Sequence, residues 1–331
     1  MRADSSERLT ILSEAEKNAL YSIPQFDDFQ RVEFFAFTDA ERSFALGRKS
    51  FLAQVYCLLQ IGYFKAKQAF FQFTLDDVPP EDVDFMLLRF FPGQTLAKTP
   101  LHTSEYYVQR NKIVELFGYR MWSGDDLPTL RDKAALLART DVTPTFLLAE
   151  LTVFLIGQRI VRPGYSTLQN VIREALAAER KRLEQLVEAA LTQTSRDALQ
   201  QLLEHDDSLS ELAALKQDAK NFRYRQMGLE RQKRLTLSPL YAIAKTLLPS
   251  LDISQLNIAY YANLANFYTI YDLRRLKFGQ ANLYLLCYAW QRYRQLTDNI
   301  VEAFGYQTRH LEEDTKDVAV KQVGVHLFLL Q

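Results

Sequence analysis

Helix-start signals recur along the whole chain, and no segment alternates apolar and polar residues over a useful length. Ser13 with Glu16, and Thr38 with Glu41, fit the capping box, in which each side chain accepts a hydrogen bond from a free amide at the helix start. Apolar residues after such starts recur at intervals of three and four, the period of an amphipathic helix. The sequence therefore predicts an all-α fold: a multi-module helical array with helix-turn-helix-like units.

Glycines, prolines and polar breaks set the ends of the predicted helices. We expect Gly62 to stop the helix that follows Ser50, and Gly228 to interrupt a long helix in the second half. A polar turn is predicted at His205–Ser210. The predicted helices cover residues 14–22, 27–35, 39–46, 51–61, 80–91, 104–117, 127–139, 145–158, 166–191, 195–204, 210–235, 238–247, 278–296 and 298–320.

The composition is that of an ordered protein in a reducing compartment. Hydrophobic residues make up 48% of the chain and charged residues 24%, and the formal net charge is zero. Cys57 and Cys287 lie far apart in apolar helical contexts and form no paired motif, as expected for core residues of a cytoplasmic protein. The longest apolar run, residues 146–157, contains Glu150 and is too short to span a bilayer. We therefore expect no membrane partner.

Positive charge is concentrated in the second half of the chain, with net −4 in residues 1–150 and net +4 in residues 151–331. Seven basic residues lie between 216 and 234, with Asp218 and Glu230 as the only acids. A cationic stripe in a neutral chain favours a polyanionic partner, of which DNA is the commonest, although a solvated helix face is the alternative. Five of the seven would share one face of a continuous helix, flanked by Arg225 and Lys233: Lys216, Lys220, Arg223, Arg231 and Arg234.

A segment near the N-terminus has the spacing of a helix-turn-helix-like unit. Residues 38–62 predict a short capped helix, a turn at Gly47 and a second helix. Arg48 and Lys49, in that turn, are then directed at phosphates. The second helix, FLAQVYCLLQI, is so apolar that we expect it to be mainly core.

Two further segments combine residues that suit nucleic acid. Arg110, Asn111 and Lys112 lie on the polar side of a helix whose Ile113, Leu116 and Phe117 face inward, and arginine and asparagine match guanine and adenine edges. A plain surface patch is the competing interpretation. Near the C-terminus, Thr269 and Asp272 form a third capping box, which places three cations on a short helix: Arg274, Arg275 and Lys277. Core packing explains most of the interleaved tyrosines, but basic and aromatic residues together are typical of a nucleic-acid surface: Tyr260, Tyr261, Tyr268 and Tyr271.

Sequence signals for catalysis or metal binding are missing. The chain contains no glycine-rich dinucleotide motif or P-loop, and its four histidines lack the spacing of a zinc site. The acidic run 312–314 is interpreted as a solvated face. No serine or cysteine occupies a recognisable nucleophile turn, and the arginines and histidines do not form the cluster that tyrosine-based strand transfer needs. We predict that this chain is not an enzyme and holds no cofactor or metal.

Several motifs, in the same order along the chain, resemble the N-terminal region of the Tn-three family transposases, the replicative class II enzymes. They are LTILSEAEKNAL (9–20), FLAQVYCLLQIGYF (51–64) after Arg48, VPPEDV (78–83), QRNKIVELFGYRMW (109–122), RIVRPGYSTLQNVIREAL (159–176), YDLRRL (271–276) and LTDNIVEAF (296–304). Where the family often has a strongly basic or Asn-containing approach to the second helix, this chain has Arg48-Lys49-Ser50.

The resemblance implies a helical region that recognises the terminal inverted repeats of a transposon. Cutting and joining in that family are done by a separate RNase H-like domain, whose acidic triad binds a divalent metal, with Mg²⁺ expected. That domain would lie beyond Gln331, so the chain is expected to be a fragment or a truncated product. The partners implied are double-stranded DNA and a second copy in a full-length homodimer, in a bacterial, nucleoid-associated setting.

The sequence thus predicts sequence-specific binding of transposon ends by three modules. The first is a helix-turn-helix-like DNA-binding module at 1–77, the second a helical DNA-binding module at 78–143, and the third a helical bundle with a basic face at 144–331. The alternative is a helical scaffold that binds protein, with no direct DNA readout.

Overall fold

A computed structural model of the protein describes residues 9–97, 99–204, 211–221 and 223–328. Two short 3₁₀ helices, Gly124–Asp126 and Leu248–Leu251, accompany the α-helices. The α-helices are α1 Glu14–Tyr21, α2 Asp28–Phe34, α3 Asp39–Leu46, α4 Phe51–Lys67, α5 Pro80–Phe90, α6 Thr103–Leu116, α7 Leu127–Thr140, α8 Pro144–Gly157, α9 Tyr165–Ala190, α10 Gln193–Glu204, α11 Glu211–Lys216, α12 Tyr224–Leu247, α13 Gln255–Phe267, α14 Ile270–Arg275 and α15 Phe278–Phe328.

The all-α prediction is confirmed, since the described residues contain no strand beyond an isolated bridge between Arg120 and Ile160. All three predicted capping boxes form, at the starts of α1, α3 and α14. A capping box involves two residues that are three positions apart, so it can be predicted from the local sequence alone. The turn predicted at His205–Ser210 lies outside the described residues.

Four predicted helix breaks are wrong. Gly62 lies inside α4, where the missing Cβ lets the helix approach Phe35; a Cβ there would lie 2.2 Å from that ring. Gly228 lies inside α12, which continues from residue 224 to 247. This helix also spans the gap between the helices predicted at 210–235 and 238–247, with Pro239 inside it. The helices predicted at 278–296 and 298–320 are one helix, α15. In each case the helix continues past a residue that disfavours helix locally, because packing against the rest of its unit stabilises the helix as a whole.

The chain divides into two compact units. The first comprises the described residues up to Leu137 together with Thr143–Leu176, and the second comprises Ala138–Val142 together with the described residues from Ala177 onwards. The three-module division at residues 77 and 143 stays a prediction.

The first unit is built around α4, whose side chains are buried on every side from Val55 to Phe64. Aromatic rings surround it, with Phe26 and Phe35 both packed near Tyr63 at centroid distances of 5.7 and 6.0 Å. An amphipathic surface helix would bury one stripe only, so α4 is a central core helix. The expectation that this apolar helix is core is confirmed.

The second unit is built around the first half of α15, where all residues from Ala281 to Ala289 are buried. Helices α12 and α13 pack along it. Asn257 on α13 fixes residues 138–142 to this unit: its amide nitrogen donates to the carbonyl of Ala138 at 2.9 Å, and its oxygen accepts from the amide of Val142 at 2.8 Å. A buried amide with both ends satisfied orients the segment without an unpaired polar group.

Candidate nucleic-acid interface

The basic run from Lys216 to Arg234 does not form one helix. Lys216 is the last residue of α11, Lys220 lies in the connection, and Arg223 is the N-cap of α12. The described residues between the two helices are not helical, so the cations do not follow one another on the face of a single continuous helix. The single stripe predicted from spacing is therefore wrong, and each cation has to be considered by its own surroundings.

Two lysines of the run are half-buried and bonded to protein atoms. The Nζ atom of Lys216 donates to the carbonyl of Tyr268 at 2.6 Å. The Nζ atom of Lys233 lies 2.8 Å from the carboxylate of Glu230 and donates to the carbonyl of Gln217 at 2.7 Å. These contacts tie the connection and α12 together, which is a structural use of positive charge.

Arg234 is also held within the second unit. Its Nε atom donates to the hydroxyl of Thr297 at 2.9 Å, and its guanidinium lies 4.7 Å from the centre of the Tyr293 ring. A half-buried guanidinium stacked on an aromatic ring packs through its flat face as well as its charge. Contacts between Arg234 and DNA stay a prediction, and they would have to compete with this packing.

The other four cations of the run are exposed: Lys220, Arg223, Arg225 and Arg231. Among the described residues, none of them forms an ion pair with a carboxylate within 4.0 Å. Positive charge without a local counter-charge is available to an external anion. We call these four residues and Tyr224 the α12 basic surface.

Tyr224, which is not among the predicted site residues, is 88% exposed at the start of α12. It stands between Arg223 and Arg225, and Arg231 follows seven residues later, two helical turns along the same face. Gly228 lies between them, and a Cβ there would meet nothing within 4 Å. The sequence signal that could have found this site is the Arg-Tyr-Arg triplet at a helix start.

The start of α12 adds a favourable dipole to these charges. The N-cap residue, Arg223, makes no side-chain hydrogen bond to the first helical amides. Free amides at the N-terminus of a 24-residue helix carry partial positive charge. Basic side chains, an exposed ring and amide donors therefore meet at one place.

The short helix α14 carries two of its three predicted cations. Arg274 and Arg275 are its last residues, whereas Lys277 lies after its end and just before α15, so the prediction that all three share one helix is wrong. Arg274 donates from Nε to the carbonyl of Leu203, and Arg275 lies 5.2 Å from the centre of the exposed Tyr271 ring. Arg275 and Lys277 are exposed. Of the four tyrosines nearby, Tyr261 is core and Tyr271 is at the surface.

In the first unit, the turn before α4 holds Arg48 and exposes Lys49. The guanidinium of Arg48 lies 4.6 Å from the centre of the Phe44 ring and 3.8 Å from the carboxylate of Glu105. Lys49 is exposed and open to an external anion. Because α4 is core from Val55 to Phe64, it cannot serve as a recognition helix in a groove, whereas Lys49 in the turn before it lies at the surface.

Arg110, Asn111 and Lys112 do not present one common face on α6. Arg110 is half-buried and stacked at 4.7 Å on the Tyr107 ring. Asn111 is exposed, and Lys112 pairs with Glu115 at 2.5 Å. Successive helical residues are 100° apart, so three in a row point in different directions.

Two of the three residues expected to face inward on α6 do so. Ile113 is fully buried, and Phe117, just after the helix, packs against the core of the first unit. Leu116 is 38% exposed, which corrects the prediction for that residue. The inward face of α6 is therefore narrower than its apolar residues suggest.

The cysteines are both fully buried, and desolvation raises the pKa of the Cys57 thiol to about 12. Both behave as small apolar core residues. Over the described ranges, no group of three or more His, Cys, Asp or Glu side chains is placed to hold a metal ion. No helix in the described part of the chain is long and apolar enough to cross a membrane.

One family model matches a stretch of the chain near its N-terminus. Residues 11–175 match the model of a domain of unknown function, DUF4158. DUF4158 is a domain found in transposase-like proteins. The match ends at residue 175, and the first unit ends at Leu176. The α12 basic surface lies outside the matched residues. No curated protein matches the chain.

Proposed function

We propose that this chain binds double-stranded DNA and recognises the terminal inverted repeats of a transposon, as the N-terminal part of a replicative transposase. The observation that carries the proposal is the α12 basic surface, where Arg223, Tyr224 and Arg225 meet Arg231 at an exposed helix start. Strand cutting and joining are assigned, in this proposal, to a separate catalytic domain.

The charges of the α12 basic surface suit a DNA backbone. Its four cations have no carboxylate partner among the described residues, so a bound phosphate does not have to displace an existing ion pair. Phosphate oxygens accept hydrogen bonds from arginine, lysine, tyrosine and helix N-terminal amides, which are the groups assembled here. Each phosphate neutralised releases counterions and contributes to affinity at low salt.

Sequence discrimination needs side chains that reach base edges. Asn111 and Lys49 in the first unit, and Arg275 in the second, are exposed and of the types that pair with adenine or guanine in the major groove. Each such pair contributes about 1–3 kcal/mol of discrimination. The DUF4158 match in the first unit supports a role in transposition.

A protein-interaction scaffold is the second candidate, and a specific feature favours it. Phe304, Leu311 and Val318 recur every seven residues on α15 and are 67%, 65% and 54% exposed. Val301, three residues before Phe304, is also exposed and extends the stripe. Apolar residues at heptad spacing are typical of a helix that packs against another helix.

Selection of bound DNA from a pool of randomised duplexes tests the proposal. The expected result is enrichment of a common sequence, which then outcompetes a base-shuffled duplex of the same length. A scaffold without DNA readout gives no enrichment and equal, weak competition. If selection fails while Phe304→Glu with Leu311→Glu disrupts a complex seen by light scattering, the scaffold function is favoured.

A further inference from the structure

A polar cleft of about 290 Å³ opens in the second unit. The end of α11, the last turns of α13 and the middle of α15 line it. Its volume is at the small end of the range for ligand pockets, which suits a small group rather than an extended ligand. The side chains that matter for its chemistry are Lys216, Asn263, Asn266, Tyr288 and Arg292.

Lys216 brings a positive charge into the cleft without a negative partner. Its Nζ atom donates to the carbonyl of Tyr268 at 2.6 Å, and no carboxylate among the described residues lies within 4.0 Å of it. Desolvation lowers the pKa of this ammonium to about 8. A half-buried cation that is destabilised by desolvation is stabilised when an anion binds beside it.

Arg292, in contrast, is already neutralised and fixed. It is 5% exposed and lies 2.8 Å from the carboxylate of Asp218. It also donates to the carbonyls of Leu215 at 2.9 Å and Gln217 at 2.6 Å, at the end of α11. Since Asp218 balances Arg292, the uncompensated charge of the cleft is that of Lys216.

Tyr288 adds an unused hydrogen-bond donor. Its side chain is almost fully buried, and its hydroxyl proton has no acceptor in the part of the chain that the structure describes, while the Arg292 guanidinium lies beside the hydroxyl oxygen. A buried hydroxyl whose proton has no acceptor loses that part of its hydration without compensation, which is unusual unless another group accepts the hydrogen bond. Asn263 and Asn266 are exposed at the cleft and offer amide donors.

The geometry points to a phosphate-binding site in this cleft, formed by the Lys216 ammonium, the Tyr288 hydroxyl and the amides of Asn263 and Asn266. A phosphate group supplies the negative charge that Lys216 has no partner for. Its several oxygens can accept hydrogen bonds from separate donors. The group is either a free phosphate ligand or a phosphodiester of bound DNA. Because a free phosphate suffices, this inference does not depend on the proposed DNA binding.

Titration calorimetry with inorganic phosphate tests the site on the full chain. The expected result is saturable binding with one phosphate per chain. Tyr288→Phe removes only this hydroxyl, and Arg292 keeps its other hydrogen bonds, so the variant should fold normally and weaken phosphate binding about tenfold. Lys216→Met removes the charge and should abolish binding. Lys245→Met, a matched loss of an exposed lysine on α12, should leave binding unchanged.

The absence of saturable heat in the wild-type protein overturns the inference, as does equal phosphate affinity in the wild-type protein and Tyr288→Phe. Tyr288→Phe keeps the test decisive if Lys216→Met fails to fold, because Lys216 also contacts Tyr268. A duplex competition separates the two sources. If phosphate displaces DNA and Tyr288→Phe weakens both, the site takes a DNA phosphate; if phosphate binds without affecting DNA, the ligand is a free phosphate. If the protein binds phosphate but not DNA, the proposed function is contradicted and the phosphate site is still supported.

Discussion

Arg31 on α2 donates from its Nε atom to the carboxylate of Asp82 on α5 across 2.8 Å, and both side chains are buried. The hydroxyl of Tyr63 donates to the other oxygen of the same carboxylate, also at 2.8 Å. Burial, together with the negative charge beside it, raises the pKa of Tyr63 well above its usual range. Three helices of the first unit therefore meet at one carboxylate.

Asp82→Asn should destabilise the protein by about 3–5 kcal/mol, because it leaves Arg31 as a buried cation with a single carboxylate partner, the exposed Asp28. Denaturant unfolding measures the change, and Asp84→Asn, at an exposed position on the same helix, is the control. An effect no larger than that of the control would mean that the buried pair contributes nothing net.

Gly62→Ala and Gly305→Ala should shift stability in opposite directions, although both replace a glycine inside a helix. A Cβ at Gly62 lies 2.2 Å from the Phe35 ring, so overpacking should cost about 1–3 kcal/mol. At Gly305 a Cβ meets nothing within 4 Å, and alanine should stabilise α15 by roughly 0.5–1 kcal/mol. Thermal unfolding of the two variants measures both signs. Equal shifts would show that α4 does not pack closely on Phe35.

Asp126 should make the first unit sensitive to acid. Hydrogen bonds from Arg120, and from the amide of Ser123 at 2.9 Å, hold the pKa of Asp126 at about 2. A carboxyl whose pKa is lower in the folded state contributes stability above its unfolded pKa and loses it as the pH falls through the folded value. We therefore expect about 1–2 kcal/mol of stability to be present at neutral pH and lost between about pH 4 and pH 2.

The comparison with Asp126→Asn isolates this contribution from other acid effects. The variant should be less stable than the wild-type protein at neutral pH, and the two should converge near pH 2. Urea unfolding over this pH range measures the difference. A difference that stays constant with pH would show that the Arg120 contact does not stabilise the ionised form.

The sequence predicted what short-range chemistry determines. The capping boxes at Ser13 and Thr38 need only a partner three residues away, and both form. The strongly apolar segment after Ser50 is core because it has no polar face to present to water. An all-α fold follows from the same local patterns.

Long-range packing determines the features for which the sequence-based predictions were wrong. Gly62 looked like a helix stop because the nearby Phe35 is 27 positions away in the sequence and invisible to local rules. The basic run looked like one stripe because spacing cannot reveal the break between α11 and α12, nor that Arg234 would stack on Tyr293. The exposure of Tyr224 depends equally on the tertiary fold, so the most informative aromatic residue of the site was missed.

Tyr224→Ala should lower DNA affinity about three- to tenfold without changing the free energy of unfolding, because the side chain is 88% exposed and packs against little within the protein. A neutral side chain releases no counterions, so the dependence of affinity on salt should stay the same. Fluorescence anisotropy with the selected duplex measures both quantities. Unchanged affinity would remove Tyr224 from the interface.

The salt dependence of duplex binding shows most directly whether the α12 basic surface binds DNA phosphates. The measurement compares the wild-type protein with a variant in which Arg223, Arg225 and Arg231 are alanine, using Lys245→Ala as the control on the same helix. The triple variant should bind the duplex more weakly. Its slope of log affinity against log salt should be shallower by about 2.7, or about 0.9 for each phosphate that the variant no longer neutralises. A wild-type slope and affinity in the triple variant would show that this surface does not bind DNA.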